Sequence, residues 1–243
     1  MSNQFSSFIK KKILGKNQNL ISIEEPYHVM ATLLKNHKVS AVIDAGASDG
    51  HISRRFLRLF PSACAYAFEP NPLYRQQLLQ YAKEDPRFRP QFVALSDNEG
   101  SADLLITESP GCTSLFKPAD MLREYDSAGS SVEASEKVEV CTIDAWAKRN
   151  GDAAIEIIKF DIQGGELKAL DGAKQVLEHS TLLVYTEVWF NPCYEGGAIF
   201  SEIDSFMRRQ GFVLYDIYKP KYNKKGVIMW GNAIFVNLRK LEM

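Results

Sequence analysis

Two features of this chain have residue types and spacing suited to chemistry: a small-residue loop with two glycines, and carboxylates that close apolar runs. Val42-Ile43-Asp44-Ala45-Gly46-Ala47-Ser48-Asp49-Gly50-His51-Ile52 reads as strand, loop and helix start. Gly46 and Gly50 let the backbone turn sharply and come close to a ligand. The helix behind them offers free N–H groups, at the strand end where open α/β sheets bind ligands. A dinucleotide site wants G-x-G-x-x-G, and here Ser48 stands where the middle glycine belongs. Asp44 at the loop entrance would repel a pyrophosphate and attract the ammonium and sulfonium of S-adenosylmethionine. The loop therefore favours S-adenosylmethionine over NAD(P), with Asp44, Gly46, Ser48 and Gly50 as its residues. Glu69, in Ala67-Phe68-Glu69-Pro70-Asn71-Pro72, follows about twenty residues later, the spacing at which an acid accepts hydrogen bonds from ribose hydroxyls.

Methyl transfer needs an aligned acceptor and, for a hydroxyl, a base or a metal, because a neutral hydroxyl is a poor nucleophile. Asp161 and Glu187 close two further apolar runs. On adjacent parallel strands they would share one rim, as a base or as ligands to a divalent cation. Lys159, two residues before Asp161, points to the same face, where it would pair with an acid or stabilise an alkoxide. The alternatives are structural: Asp161 holding the cofactor's amino group or capping the next helix, Glu187 as a partner of Lys159, and Glu166 at a helix start.

Alternating strand and helix patterns must position these groups. Strands are expected over 41–45, 63–68, 88–95, 155–160, 182–187, 212–217 and 229–236, and helices over 23–38, 51–60, 72–83, 144–149, 166–178 and 199–210. Asn71 and Pro72 form a helix start, and Gly211 a helix end. Between the third and fourth core strands the alternation breaks. Short strands are expected near 101–107, 112–116 and 138–142, with a mobile loop at 128–136. The expected architecture is a Rossmann-like α/β domain over 39–243. Its sheet is mostly parallel, with one antiparallel strand near the C-terminus, helices on both faces and a β insertion around 101–142. A helical extension, 1–38, precedes it.

The length, 243 residues, suits one α/β domain, and hydrophobic residues make up 45%. A net charge of −1 argues against a nucleic-acid-coated surface. Four scattered cysteines and four histidines form no zinc or disulfide pattern. No apolar run reaches the roughly 20 residues that span a bilayer, and the basic residues Lys10, Lys11 and Lys12 are misplaced for a signal peptide. A cytoplasmic enzyme is expected, with peripheral membrane contact through 5–14 left open and the oligomeric state unset.

Together these segments resemble the FkbM-type methyltransferases. The likeness is carried by VIDAGASDGHIS (42–53), AFEPNP (67–72), VALSDNEG (93–100), CTSLF (112–116) and IKFDIQGGELKALDGA (158–173), and spans about 39–236. VEVCTID (138–144) and the acid of VYTEVWF (184–190) also fit. The resemblance implies an S-adenosylmethionine-dependent enzyme that O-methylates sugars or natural products. It adds Pro70, Asn71, Ser96 and Asp97 to the cofactor residues, and Asp161 as a further cofactor contact. One position departs: the family's D-x-E-G-A-E reads Asp161-Ile162-Gln163-Gly164-Gly165-Glu166, with Gln163 replacing an acid. Asn191-Pro192-Cys193-Tyr194 is similar to the N-P-P-Y loop of amino-group methyltransferases, but follows the fifth strand instead of the fourth. Trp189, Phe190 and Tyr194 offer aromatic faces to a sugar ring. Lys219, Lys221, Lys224 and Lys225 lie between the last two strands and suggest an anionic acceptor. An N-methyltransferase, an NAD(P) oxidoreductase and a non-catalytic cofactor-binding module are the competing readings.

Overall fold

The computed structural model describes residues 25–151 and 153–242. The basic segment 5–14, with all of 1–24, lies outside the described residues. Seven strands form the main sheet: β1 (Ala41–Ala45), β2 (Cys64–Phe68), β3 (Phe88–Gln91), β7 (Ile157–Phe160), β8 (Leu183–Trp189), β9 (Val213–Tyr222) and β10 (Ile228–Val236). Their order is β3-β2-β1-β7-β8-β10-β9. Only β10 runs against its neighbours, as expected from the final hairpin. The strand order reverses beside β1, so the crevice at the carboxyl ends of β1 and β7 is the topological switch point where such sheets bind ligands.

Both faces of the sheet are covered because its central strands are apolar on both sides. Val42, Ile157 and Leu183 face one way, towards α1 (Pro26–Leu33) and α2 (His51–Leu59). Ile43, Ile158 and Val184 face the other way. There they meet α5 (Ile143–Arg149), α6 (Glu166–Asp171), α7 (Lys174–His179) and α8 (Phe200–Arg209). Tyr27 of α1 packs edge-on against Phe56 and Tyr185, which seats α1 on the same core. The α3 helix (Arg75–Glu84) lies over β2 and β3 after a 3₁₀ turn at Pro72–Tyr74, and Asn71 caps that turn through Leu73 N–H.

The insertion is a separate three-stranded sheet in the order β4-β6-β5: β4 (Ala94–Leu95), β5 (Gly100–Thr107) and β6 (Val132–Cys141). Four expectations change here. The single strand at 88–95 splits, its first part joining the main sheet and Ala94–Leu95 the insertion. The expected loop at 128–136 is half strand, because β5 supplies an antiparallel partner for 132–140. The stretch 112–116 is no strand but the end of a 3₁₀ turn (Pro110–Cys112) followed by one bridge, Leu105 to Ser114. The helix at 166–178 breaks at Gly172, where a Cβ would lie 2.2 Å from Ser96 O. The second half is restarted from a distance, by Asp144 accepting from Gln175 and Val176 N–H. A short α4 (Asp120–Tyr125) and a terminal α9 (Leu238–Leu241) complete the chain.

Candidate active site

Gly46 turns the chain from β1 across the end of β7. Its φ is +73°, and a Cβ there would sit 1.8 Å from Asp161 O, so only glycine fits. Gly46 and Ala47 N–H both donate to Phe68 O at 3.0 Å, which holds the loop against β2. Ser48 N–H donates to Glu69 Oε2 at 2.7 Å and Asn71 N–H to Oε1 at 2.8 Å. Burial lifts the Glu69 carboxyl above its usual range, while these two N–H groups and Lys159 oppose the lift. Asn71 is buried, and its Nδ2 has no hydrogen-bond partner among the described residues.

These groups line one open cleft of about 240 Å³. Glu69, Pro70 and Asn71 line one end, beyond β2. Lys159, Asp161 and Gln163 line the other, beyond β7, and residues 110–115 of the insertion contribute a further wall. Gly46 and Ser48 lie between. Other expected cofactor residues sit elsewhere. Gly50, φ +80°, packs under Leu78 of α3, where a Cβ would approach to 2.8 Å. Ser96 and Asp97 hydrogen-bond each other at 3.1 Å, next to Leu95 on the wall. Asp44 is turned into the interior, with Ser53 Oγ at 2.6 Å and Lys159 Nζ at 3.0 Å. Its charge is answered inside the protein, so the electrostatic preference for a sulfonium cannot rest on Asp44.

Lys159 is fully engaged by that duty. Its Nζ donates to Gly46 O at 3.0 Å and Ala45 O at 3.4 Å, and lies 3.8 Å from Asp161 Oδ2. Burial opposes its charge, but Asp44 and Asp161 outweigh burial and hold it protonated well above the usual lysine range. It staples the glycine loop to β7. Glu166 staples the next loop, accepting from Ile162 N–H at 3.0 Å and Gly164 N–H at 2.9 Å; burial pushes its carboxyl up to about 7.

Asp161 and Glu187 meet at the rim, as adjacent parallel strands require, but not directly. Gln163 Nε2 lies between them, donating to Asp161 Oδ1 at 2.7 Å and Glu187 Oε2 at 2.9 Å. Asp161 keeps 42% of its side chain exposed, on the cleft wall. Glu187 is buried behind it, and burial followed by Asp161 and Glu166 raises its carboxyl well above the usual range. A divalent cation does not fit this pair. Amide hydrogens occupy the space between the acids, whereas Mg²⁺ and Ca²⁺ take oxygen ligands. Among the described residues no three Asp, Glu, His or Cys side chains are grouped to hold a metal.

The aromatic and lysine residues assigned to the acceptor lie off the cleft wall. Trp189 and Tyr194 are buried edge-on at 5.5 Å, and Tyr194 Oη donates to Gln163 Oε1 at 2.7 Å. Lys219 reaches towards Glu25 at 3.9 Å, and Lys221 lies 5.9 Å from the Trp230 ring. Both belong to β9, because the expected lysine loop is largely hairpin strand. Two wall residues escaped the sequence reading. Gln163 registered only as a lost charge. Ser114, inside the CTSLF motif, donates its hydroxyl to Gln163 O at 2.6 Å.

Residues 44–214 match the Methyltransferase FkbM domain. The chain is 32% identical over 162 residues to 2-O-methyltransferase NoeI of Sinorhizobium fredii (strain NBRC 101917 / NGR234), covering 64% of this chain and 65% of that protein. It thus spans less than two thirds of that relative's length. The crystal structure of Methyltransferase FkbM from Methylobacillus flagellatus KT matches with a TM-score of 0.53 at 17% identity, over 88% of this chain and 48% of that one. That likeness is one of fold. With the match covering most of its length, and with a glycine loop, a clamped Glu69 and an acid-lined cleft at the switch point, the chain belongs to the FkbM methyltransferase domain family.

Proposed function

We propose that the chain is an S-adenosylmethionine-dependent O-methyltransferase acting on a hydroxyl of a sugar or glycan in surface-polysaccharide or natural-product biosynthesis. The observation that carries this reading is one cleft with adenosine-type groups at one end and a proton acceptor at the other. Glu69 and the unpartnered Asn71 Nδ2 suit the ribose and its surroundings. The Gly46–Ser48 backbone suits a close-lying methionine portion. S-adenosylmethionine, bound there, supplies an electrophilic methyl on a sulfonium leaving group. Asp161, the exposed acid at the opposite end, takes the acceptor hydroxyl's proton as its oxygen attacks. Gln163 fixes the Asp161 carboxylate for that role, and Pro110, Gly111, Thr113, Ser114 and Leu115 wall the same cleft. The 2-O-methyltransferase name of the relative supports oxygen as the methylated atom.

Calorimetric titration with S-adenosylhomocysteine tests the cofactor. Binding is expected, weakened by about 1–3 kcal/mol in Glu69→Ala, where ribose hydrogen bonds go unmade. Binding of NAD(H) with none of S-adenosylhomocysteine overturns the reading.

A further inference from the structure

Gln163, the residue that departs from the family pattern, is where the hydrogen bonds of the acceptor end converge. It is buried and holds φ +56°, a left-handed conformation unfavourable for a residue with a Cβ. Its surroundings therefore have to hold it there. Four hydrogen bonds do so. Nε2 donates to Asp161 and Glu187, Oε1 accepts from Tyr194 Oη, and the backbone carbonyl accepts from Ser114 Oγ. The amide has one tenable orientation. Turned over, Oε1 would face the two acid oxygens and Nε2 the Tyr194 hydroxyl, exchanging three matched contacts for three unmatched ones.

Acids held this close repel, and a cation, a proton or a hydrogen-bond donor has to stand between them. Lys159 does not fill that place: its Nζ sits 3.0 Å from Asp44 and 3.8 Å from Asp161, held by the carbonyls of the glycine loop. Glu166, buried nearby, adds to the negative charge acting on Glu187. A carboxylate at position 163 would bring a further anionic oxygen to within about 3 Å of both acids, a distance at which hydrogen bonding demands a donor.

We propose that Gln163 takes the position that a divalent cation or shared proton would otherwise fill between Asp161 and Glu187. This acceptor end then binds no divalent metal and keeps its two acids in register through a neutral amide. The same amide ties the loop carrying Tyr194 to the acids, so that loop and base are positioned together.

Titrating the full chain with Mn²⁺, followed by calorimetry and by the loss of the free-ion electron paramagnetic resonance signal, tests this. The wild type is expected to take up no Mn²⁺ that Asp161→Asn removes. Gln163→Glu, checked for folding by circular dichroism, is expected to gain one Mn²⁺ per chain, bound at least about tenfold more tightly than by the wild type. Mn²⁺ should also raise the melting temperature of that variant alone. One Mn²⁺ per wild-type chain, lost in Asp161→Asn, overturns the proposal. So does a folded Gln163→Glu that binds Mn²⁺ no better than the wild type. Should Gln163→Glu not fold, the comparison of wild type with Asp161→Asn decides alone. Cation binding is read without turnover, so its outcome is separate from that of the S-adenosylhomocysteine titration.

Discussion

Replacing Lys159 by methionine separates two roles for this residue: support of the acceptor's alkoxide, or support of the glycine loop. In the structure Lys159 is the cation beside Asp44, and both are buried. Methionine keeps the length of the side chain but leaves Asp44 with Ser53 Oγ alone at 2.6 Å. Breaking a buried pair from one side costs about 3–5 kcal/mol, because the remaining charge is uncompensated. The carbonyls of Ala45 and Gly46 lose their donor as well. For a chain of this size each kcal/mol lowers the melting temperature by about 2–4 °C, so a fall of about 10 °C is expected. Adding Asp44→Asn removes the stranded charge and should restore half or more of the loss. Urea denaturation of wild type, Lys159→Met and the double variant reads this directly, with unchanged m-values confirming that the folded state is compared. A loss below about 1 kcal/mol for Lys159→Met, or a double variant no more stable than the single, refutes the structural role. A double variant that regains stability and S-adenosylhomocysteine binding yet transfers no methyl would return Lys159 to the acceptor.

Two further outcomes follow from the loops. Gly46→Ala should abolish S-adenosylhomocysteine binding or weaken it at least tenfold, since its Cβ would overlap Asp161 O at 1.8 Å. Gly211→Ala has a similar φ, +84°, but nothing within 4 Å, and should cost only the conformational penalty of about 1–2 kcal/mol in urea denaturation. Equal effects of the two on binding would show that steric closure at Gly46 is not what matters. Glu166 gives a pH signature. Its folded carboxyl is raised to about 7 by burial, so between its unfolded value and that point the folded state holds more protons. Stability must then fall as pH rises through that window and level off above it. A rise of that size corresponds to about 3 kcal/mol, and Glu166→Gln should lose that share of the slope, the raised carboxyls of Glu187 and Glu69 supplying what remains. Parallel stability curves for the two proteins from pH 4.5 to 8 would refute it.

Much of the main sheet was legible because its strands are short apolar runs bounded by breakers. β1 and the starts of α2 and α6 fall where the pattern puts them, and Gly46 and Glu69 stand at strand ends for reasons of local chemistry. What stayed hidden depended on partners far away in sequence. Residues 132–136 carry little β pattern, yet β5 pairs with them. Nothing local breaks the helix at Gly172; Ser96 O leaves no room there, and Asp144 caps the second half across 31 residues. The edge strand β3 tolerates Pro90 because its free side needs no donor, so the run ends early and 94–95 crosses to the insertion.

The site follows the same division, with one consequence for how its charges are read. Asp44, Lys159, Asp161 and Glu187 were all visible as ionisable residues near strand ends, and spacing alone made each a candidate for ligand or acceptor. Pairing decides between them. Asp44 and Lys159 neutralise each other beneath the glycine loop, Glu187 is buried behind Gln163, and Asp161 alone remains both polar-bonded and open to the cleft. A change from acid to amide at position 163 looks like a loss when only charge is counted. Among three neighbouring acids it supplies the donors that let two carboxyl groups share one rim, and through Tyr194 it ties both to the loop beyond β8.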